Sequence, residues 1–411
     1  MVFLEWLFKE ILASTITWIL VCGLATILVT DFIFIPLAFY DSLKREEEAS
    51  LEEYPLVSII VPAHNEETSI KDCVDALLEA DYPNKEIIVV NDGSTDGTRR
   101  AVEPYASEGK LILINKVKGG KSTAINAGVS VSRGKIIIAI DADTLIQRDA
   151  IKRLVAKFKD PKVVAVAGNV KVGNRTNLLT KCQALEYVRD IQIPRRSFDL
   201  LLSVLVVPGP LGAYRREALT QVGEYDKDVV TEDFDATVKV LKVGSVVNEP
   251  KAIAYTEAPR TLKDLYNQRR RWYGGMLQTV VKHRPSWWRF GVYSFIGIPY
   301  LIATLLIVPP LELTVSGIAV WQALVGEWKA VLLIFGLFAI LELLTSLFAL
   351  TLGGDDPRLA VLSPLYVVGY RQLLDAMRLM AYASLLTRRL DWSRARRVGS
   401  LTREMRELKG R

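Results

Sequence analysis

Ile136-Ile137-Ile138-Ala139-Ile140-Asp141-Ala142-Asp143 is the stretch on which the fold reading turns. The apolar run reads as a buried strand that delivers two carboxylates at its end. In extended chain, positions i and i+2 point the same way, so Asp141 and Asp143 are expected to converge. Hard oxygen ligands of this kind suit Mg²⁺ or Mn²⁺ that also bridges phosphate oxygens. Taken alone, the pair reads more readily as turn aspartates capping a helix that starts near Gln147. The strand in front favours a ligand.

Working outward, Val57-Ser58-Ile59-Ile60-Val61 reads as another buried strand, and Ile87 to Val90, Leu111 to Ile114 and Val163 to Ala167 supply more. Between them, Ile70, Cys73, Val74, Leu77 and Leu78 follow helical spacing, with Thr68 or Ser69 available as N-cap. Ile151, Leu154, Val155 and Phe158 mark a further helix. Apolar strands alternating with helices imply an α/β fold with a mostly parallel sheet covered on both faces. Ligands in such sheets bind outside the carboxyl ends of the strands, where Asp92 and the Asp141/Asp143 pair both fall.

The turn Asn91-Asp92-Gly93-Ser94-Thr95-Asp96-Gly97 lacks the later bidentate Glu of a calcium loop, and Asp92 can accept from a base or ribose. Gly119-Gly120-Lys121-Ser122 is not a P-loop, because position 115 holds Asn115 where that motif needs glycine. It still places Lys121 at a glycine-rich turn before a helix, suited to a diphosphate. Thr231-Glu232-Asp233 opens a helical stretch, either as an acidic N-terminus favoured by the helix dipole or as the source of a general base. Gln268, Arg271 and Trp272 stand at i, i+3 and i+4 and share one helix face. A guanidinium can clamp a diphosphate and an indole can face a sugar. Arg269 and Arg270 suit an interfacial helix whose arginines snorkel.

Half of the 411 residues are hydrophobic, and they concentrate at the ends. Ile11 to Tyr40 carries Asp31 as its only charge, and at ~1.5 Å per residue it can cross a ~30 Å hydrocarbon layer. Tyr293 to Val320, with Pro309-Pro310 and Glu312, and Val331 to Leu352 are candidate spans. Ala360 to Leu386 is interrupted by Arg371, Asp375 and Arg378. A third crossing there would put the basic tail, Arg388 to Arg397, outside, against the positive-inside tendency. A partly inserted or interfacial helix is therefore expected. From Leu178 to Val207, Glu186, Arg189, Arg195 and Arg196 alternate with apolar residues, which fits helices along a membrane face or an ordinary cover for the sheet. The net charge of +6 sits mainly beside apolar segments, favouring anionic lipid or diphosphate over nucleic acid. Three cysteines far apart suit a reduced compartment, and with only His64 and His283 a Cys/His zinc site is not expected.

In this order the motifs resemble the membrane branch of family 2 inverting glycosyltransferases, which contains cellulose and hyaluronan synthases. Val57 to Glu67, with Pro62-Ala63-His64-Asn65-Glu66, is similar to that family's opening strand and turn. Pro208-Gly209-Pro210-Leu211-Gly212 followed by Tyr214-Arg215-Arg216 resembles its acceptor-side segment. The likeness covers roughly residues 55–290. It implies a GT-A catalytic domain and a nucleoside-diphosphate sugar donor, GDP-mannose or a UDP-hexose. Pro62, Asn65, Glu66, Asp92, Lys121 and Asp141 would bind the donor, Asp143 and Asp141 would hold Mg²⁺ or Mn²⁺, and Asp233 would be the base. Glu232, Gln268, Arg271 and Trp272 would serve acceptor and diphosphate. The organisation expected is a transmembrane helix over 1–45, a cytoplasmic GT-A domain over 46–265, and the Gln268–Trp272 interfacial region over 266–291. Transmembrane or interfacial helices follow over 292–390, with a basic cytoplasmic tail over 391–411. Too few spans are offered for a secretion channel, so limited transfer onto a lipid-linked glycan is preferred over a processive polysaccharide synthase. A dolichyl-phosphate sugar synthase would not require Asp233, and an inactive scaffold would not require the acidic set.

Overall fold

The computed structural model describes residues 33–43, 51–289 and 291–386. Most of the N-terminal span, including Asp31, and the basic tail from residue 387 lie outside the described residues. Among those described, eight strands form one sheet: β1 Val57–Ala63, β2 Lys85–Asp92, β3 Ile112–Lys116, β4 Ile136–Ala139, β5 Leu145–Ile146, β6 Val163–Val172, β7 Gly212–Arg215 and β8 Ser245–Thr256. Their order is β3-β2-β1-β4-β7-β6-β8-β5. The four strands β3-β2-β1-β4 run parallel, β7 is antiparallel between β4 and β6, β8 is parallel to β6, and β5 closes the edge antiparallel to β8. This is a GT-A-like α/β arrangement, mixed but mostly parallel.

The helices are α1 Ile33–Leu43, then α2 Ile70–Leu78, α3 Thr98–Ser107, α4 Lys121–Val131, α5 Ala150–Ala156, α6 Leu178–Glu186, α7 Ile193–Asp199, α8 Arg216–Gln221, α9 Glu232–Val240 and α10 Leu262–His283. The period-2 alternation of β1 divides the core. Ile59 and Val61 pack with Ile70, Cys73 and Val74 of α2 on one face, and Ile60 packs with Ala124, Ile125 and Val129 of α4 on the other. Ser69 does precede α2, but its hydroxyl donates to the buried Glu66 carboxylate (2.8 Å) and leaves the helix end without a side-chain cap.

Strands β7 and β8 were not anticipated from the pattern. β8 carries Asn248, Glu249, Pro250 and Lys251 in its middle. The ladder slips between Gly168 and Asn169 opposite them, and Asn169 Nδ2 donates to Pro250 O (2.8 Å). A proline without an N–H is tolerated at such an irregularity. The division expected at residue 265 falls inside α10.

Two helices, Tyr293–Gly326 and Val331–Gly353, are long and apolar enough to cross a membrane by length and composition. They form a hairpin that turns at Gly326, whose φ of 108° breaks the helix. Tyr293, Ile298, Leu301 and Leu305 dock on Phe234 and Val238 of α9 and Val280 of α10. The returning end is held by Lys171 of β6, whose ammonium donates to Gly353 O (2.8 Å) and Gly354 O (3.1 Å). Asp355 then pairs with Lys171 (3.3 Å) and Arg175 (2.5 Å). Both outer ends of the hairpin are thus fixed on the α/β domain, while Leu324, Leu332, Leu333 and Leu337 are exposed.

The polar residues that interrupt the apolar blocks meet one another. Arg371 pairs with Glu312, Gln372 Nε2 donates to Ser316 Oγ (3.3 Å), and Arg378 donates to Thr304 O (2.8 Å). The Arg371–Leu386 helix therefore runs antiparallel beside the first long apolar helix and also packs on α10. The 178–207 segment covers the sheet and also meets the second apolar helix. Leu185, Tyr187, Val188 and Ile193 join the core, and Arg189 pairs with Glu342 of the second apolar helix. Arg269 does not snorkel: it is 0% exposed, paired with Glu186 (2.8 Å), and its guanidinium lies 4.3 Å from the Trp272 ring centre.

Gly128 sets the distance between α4 and β1, because a Cβ there would lie 2.5 Å from Ile60 Cγ2. Gly128→Val is expected to destabilise the fold by about 1–3 kcal/mol through overpacking. Thermal or denaturant unfolding checks this; an unchanged midpoint would show that the interface yields freely.

Candidate active site

The parallel strands end on one edge of the sheet, and the chemistry collects there. Asp92 closes β2 and is 4% exposed. Its Oδ1 accepts from the Lys116 ammonium and from Gly119 N–H (2.9 Å), and its Oδ2 from Gly120 N–H (2.8 Å). Burial pushes its pKa up, but the hydrogen bonds from Lys116, Gly119 and Gly120 outweigh it and hold the carboxyl below its ordinary range. Asp92 thereby fixes the glycine turn that starts α4, with Lys121 as the first helical residue.

Lys121 is the centre of the site. Its Nζ lies 2.6 Å from Asp141 Oδ1 and 2.9 Å from Glu232 Oε1. Burial favours the neutral amine, but Asp141, Glu232 and Asp233 outweigh it and raise the pKa, so the ammonium keeps its charge. Asp141 and Asp143 reach the site differently from the expectation. β4 ends at Ala139, and Thr144 N–H closes a turn onto Asp141 O (3.0 Å), so the pair does not project from one extended strand. Asp141 is turned to Lys121, while Asp143 is 4% exposed. Beneath them Cys73 donates its thiol to Asp141 O (3.7 Å). Burial, then Asp143 and Asp141, push that thiol's pKa up.

Asp233 lies in the first turn of α9. Its Oδ2 accepts from Gly209 N–H (3.0 Å) and its Oδ1 from Phe234 N–H (2.8 Å). Burial and the neighbouring Glu232 push its pKa up to about 6, against the lowering influence of Lys121. Gly209 reaches the cluster because it has no side chain: a Cβ there would lie 2.8 Å from Lys121 Nζ and 3.4 Å from Asp233 Oδ2. On the far wall, α10 approaches at Gly275, where a Cβ would stand 2.6 Å from Thr231 Cγ2. That contact sets the helix bearing Gln268, Arg271 and Trp272 beside the helix bearing Asp233.

These groups line one cavity of about 540 Å³. Of the residues singled out in the sequence, Pro62, Glu66, Asp92, Lys121, Asp141, Asp143, Glu232, Asp233, Gln268, Arg271 and Trp272 all face it. Asn65 does not. It sits at φ 54°, exposed, with its Oδ1 accepting from Thr95 N–H (2.8 Å), and it ties the end of β1 to the Asp92 turn. His64, Tyr187 and Arg195 also line the cavity and were not expected there. His64 Nδ1 lies 2.8 Å from Asp92 O. Its place beside Asn65 and Glu66 was the available signal, whereas Arg195 read as one charge among several on an amphipathic helix.

Among the described residues no group of three or more His, Cys, Asp or Glu side chains is gathered to hold a metal ion alone. Asp141 and Asp143 offer two hard carboxylates on a wall shared with a lysine. This donor set fits Mg²⁺ or Mn²⁺, which Asp141 and Asp143 would hold only with further oxygen ligands from elsewhere.

Residues 58–223 match the family model described as Glycosyl transferase family 2. The poly-beta-1,6-N-acetyl-D-glucosamine synthase of Staphylococcus aureus (strain COL) is 31% identical over 244 residues, covering 59% of this chain and 59% of that protein. The synthase of the same description from Staphylococcus epidermidis is 32% identical over 229 residues, covering 55% of this chain and 56% of its own. The chain thus spans a little over half the length of these curated relatives. The fold resembles that of the mannosyltransferase PcManGT from Pyrobaculum calidifontis, solved with GDP-Man and Mn2+. The TM-score is 0.62 and the identity 23%, over 90% of this chain and 99% of that one.

Replacing Lys121 by Gln removes the cation that lowers the Asp233 pKa and leaves three carboxylates facing one another. The Asp233 midpoint is then expected above about 6. Carbon-13 NMR of the carboxyl in metal-free protein checks this, and a midpoint that stays put would show that the ammonium does not set it.

Proposed function

We infer that this chain, whose residues 58–223 are a family 2 glycosyltransferase domain, transfers a sugar from a nucleoside-diphosphate donor to a lipid-linked glycan. The reaction takes place at the cytoplasmic face of a membrane. Mannose or another hexose is the sugar, from GDP-mannose or a UDP-hexose. Asp233 carries the reading: a carboxylate with a pKa near 6 stands beside a lysine-neutralised acidic pair, in one cavity with an Arg-Trp helix face. That arrangement suits a direct displacement. The acceptor hydroxyl gives its proton to Asp233, its oxygen bonds to the anomeric carbon, and the bond to the diphosphate breaks with inversion. The electron pair leaves on the diphosphate, where Lys121 and Arg271 offer cations. Asp141 and Asp143 would hold Mg²⁺ or Mn²⁺ against the diphosphate, and the bound ion neutralises charge on the leaving group. Trp272 gives the acceptor sugar a flat apolar face.

The hairpin of two apolar helices supports membrane attachment, and its close docking on the domain supports limited transfer. The mannosyltransferase PcManGT shares this fold over 90% of the chain. The 31% identity to a poly-beta-1,6-N-acetyl-D-glucosamine synthase favours a second reading, a processive synthase extending an N-acetylglucosamine polymer. A screen of nucleoside-diphosphate sugars with Mg²⁺ or Mn²⁺ and membrane lipid extract, with products weighed by mass spectrometry, separates them. One added sugar on a lipid-linked species supports limited transfer, and a ladder of long products establishes the processive reading.

Asp233→Asn is expected to keep donor binding but lose about 10²–10⁴-fold in transfer, the usual worth of a general base. Retained transfer would remove the assignment. A base must be ionised to work, so the rate should rise with pH through about 6 and then level off. Asp143→Ala should weaken Mn²⁺-dependent donor binding; equal nucleotide affinity with and without Mn²⁺ would count against the metal site.

A further inference from the structure

A second cavity, of about 350 Å³, lies between the α/β domain and the apolar helices. It shares Ile191, Arg195, Val206, Trp272 and Met276 with the first cavity, so the two adjoin across a common wall. Its outer side is built by Phe34 of α1, Leu301 and Leu305 of the first long apolar helix, and Leu374. The arginines at its margin are mostly neutralised: Arg189 by Glu342, Arg371 by Glu312, and Arg378 beside Asp375 (3.5 Å).

Arg195, in the dividing wall, differs from them. It is 7% exposed, its Nη1 donates to Gly168 O (3.0 Å), and no carboxylate pairs with it among the described residues. Burial pushes its pKa down, and the nearest compensating influence is Asp233, which lines the first cavity with it. A guanidinium withdrawn from water without a counter-ion costs several kcal/mol, and an incoming anion removes that cost. Its fork of donors suits a phosphate. The surroundings name the rest of the ligand, since hydrocarbon can run from this point past Phe34, Leu301 and Leu305 toward the apolar helices.

We propose that Arg195 binds the phosphate that links the acceptor's lipid to its sugar, with the lipid in the second cavity and the reacting hydroxyl in the first. This rests on the transferase reading above and deepens it. Asp233 and Arg195 line the same cavity, so only a short stretch of sugar separates the phosphate from the reacting hydroxyl. The acceptor is thus supplied by a reaction that places a first sugar on a lipid phosphate.

The test is a binding measurement that needs no transfer. Full-length protein in detergent micelles is titrated calorimetrically with farnesyl phosphate, farnesol or inorganic phosphate, with a saturating nucleoside diphosphate present throughout. Farnesyl phosphate should bind roughly tenfold or more tightly than farnesol, the worth of one charge-assisted hydrogen bond. Inorganic phosphate should bind far more weakly than either lipid. Arg195→Gln should lose the preference for phosphate over alcohol while binding nucleoside diphosphate as the wild type does, and Arg195→Lys should keep part of it. Equal wild-type affinity for farnesyl phosphate and farnesol overturns the proposal whether or not the variants fold. So does inorganic phosphate binding as well as farnesyl phosphate, or farnesyl phosphate that binds only in a control titration from which the nucleoside diphosphate is omitted, which would assign Arg195 to the donor. Selective farnesyl phosphate binding without transfer to any lipid-linked acceptor would leave this site standing and sink the transferase reading instead.

Discussion

One ammonium holds the acidic cluster together. Asp141, Glu232 and Asp233 arrive from the end of β4 and the start of α9, and like charges brought so close repel strongly wherever water is thin. Lys121 answers that repulsion from a third direction, contacting Asp141 and Glu232. Its own position depends on Asp92, which grips the two glycine N–H groups ahead of α4. The strand order, the glycine turn and the helix start therefore act as one device for delivering a cation. Without it, Asp233 would lose the cation that lowers its pKa.

The opposite wall depends on small residues. Gly209 and Gly275 let a loop and a helix come within contact of Lys121 and Thr231, where any side chain would intrude. The glycine at 209 lies between two prolines, Pro208 and Pro210, which restrict the backbone on either side. Rigid neighbours around a residue without a side chain give a wall that is both close and fixed. The Asp233 carboxylate, held by Gly209 N–H and Phe234 N–H, is fixed in orientation against that wall.

Much of this could be read from the residues alone, and the misses have physical reasons. Central parallel strands announce themselves as unbroken Ile and Val runs, so β1 to β4 and β6 were legible, and the acidic groups at their ends with them. β8 was not, because its polar middle and Pro250 are accommodated by a slip in the ladder that no local pattern encodes. The Asp-x-Asp pair was correctly located but wrongly shaped: the strand stops early and a turn carries both residues. Arg269 looked like a surface arginine because its partner, Glu186, lies 83 residues earlier in the chain. Asn65 follows the pattern of a site residue yet works as a brace, since its positive φ turns the side chain to the neighbouring loop. Sequence spacing identifies who is present at an edge and leaves open which way each faces.

The clasp at the far end of the helical hairpin bears on the order in which the molecule assembles. Lys171 reaches Gly353 and Gly354 across 182 and 183 residues of chain, whereas β1 pairs with β2 through Val57 and Lys85, 28 residues apart, and with β4 through Val57 and Ile136, 79 apart. Closing so long a loop carries a larger entropy cost than the local pairings, and it requires β6 to be in place as the anchor. Emerging from the ribosome, the α/β unit can therefore form before the hairpin is locked. The clasp then reports that both have been made. A chain caught between these stages would carry a folded α/β unit with unshielded apolar helices, the species most prone to aggregate or to engage chaperones.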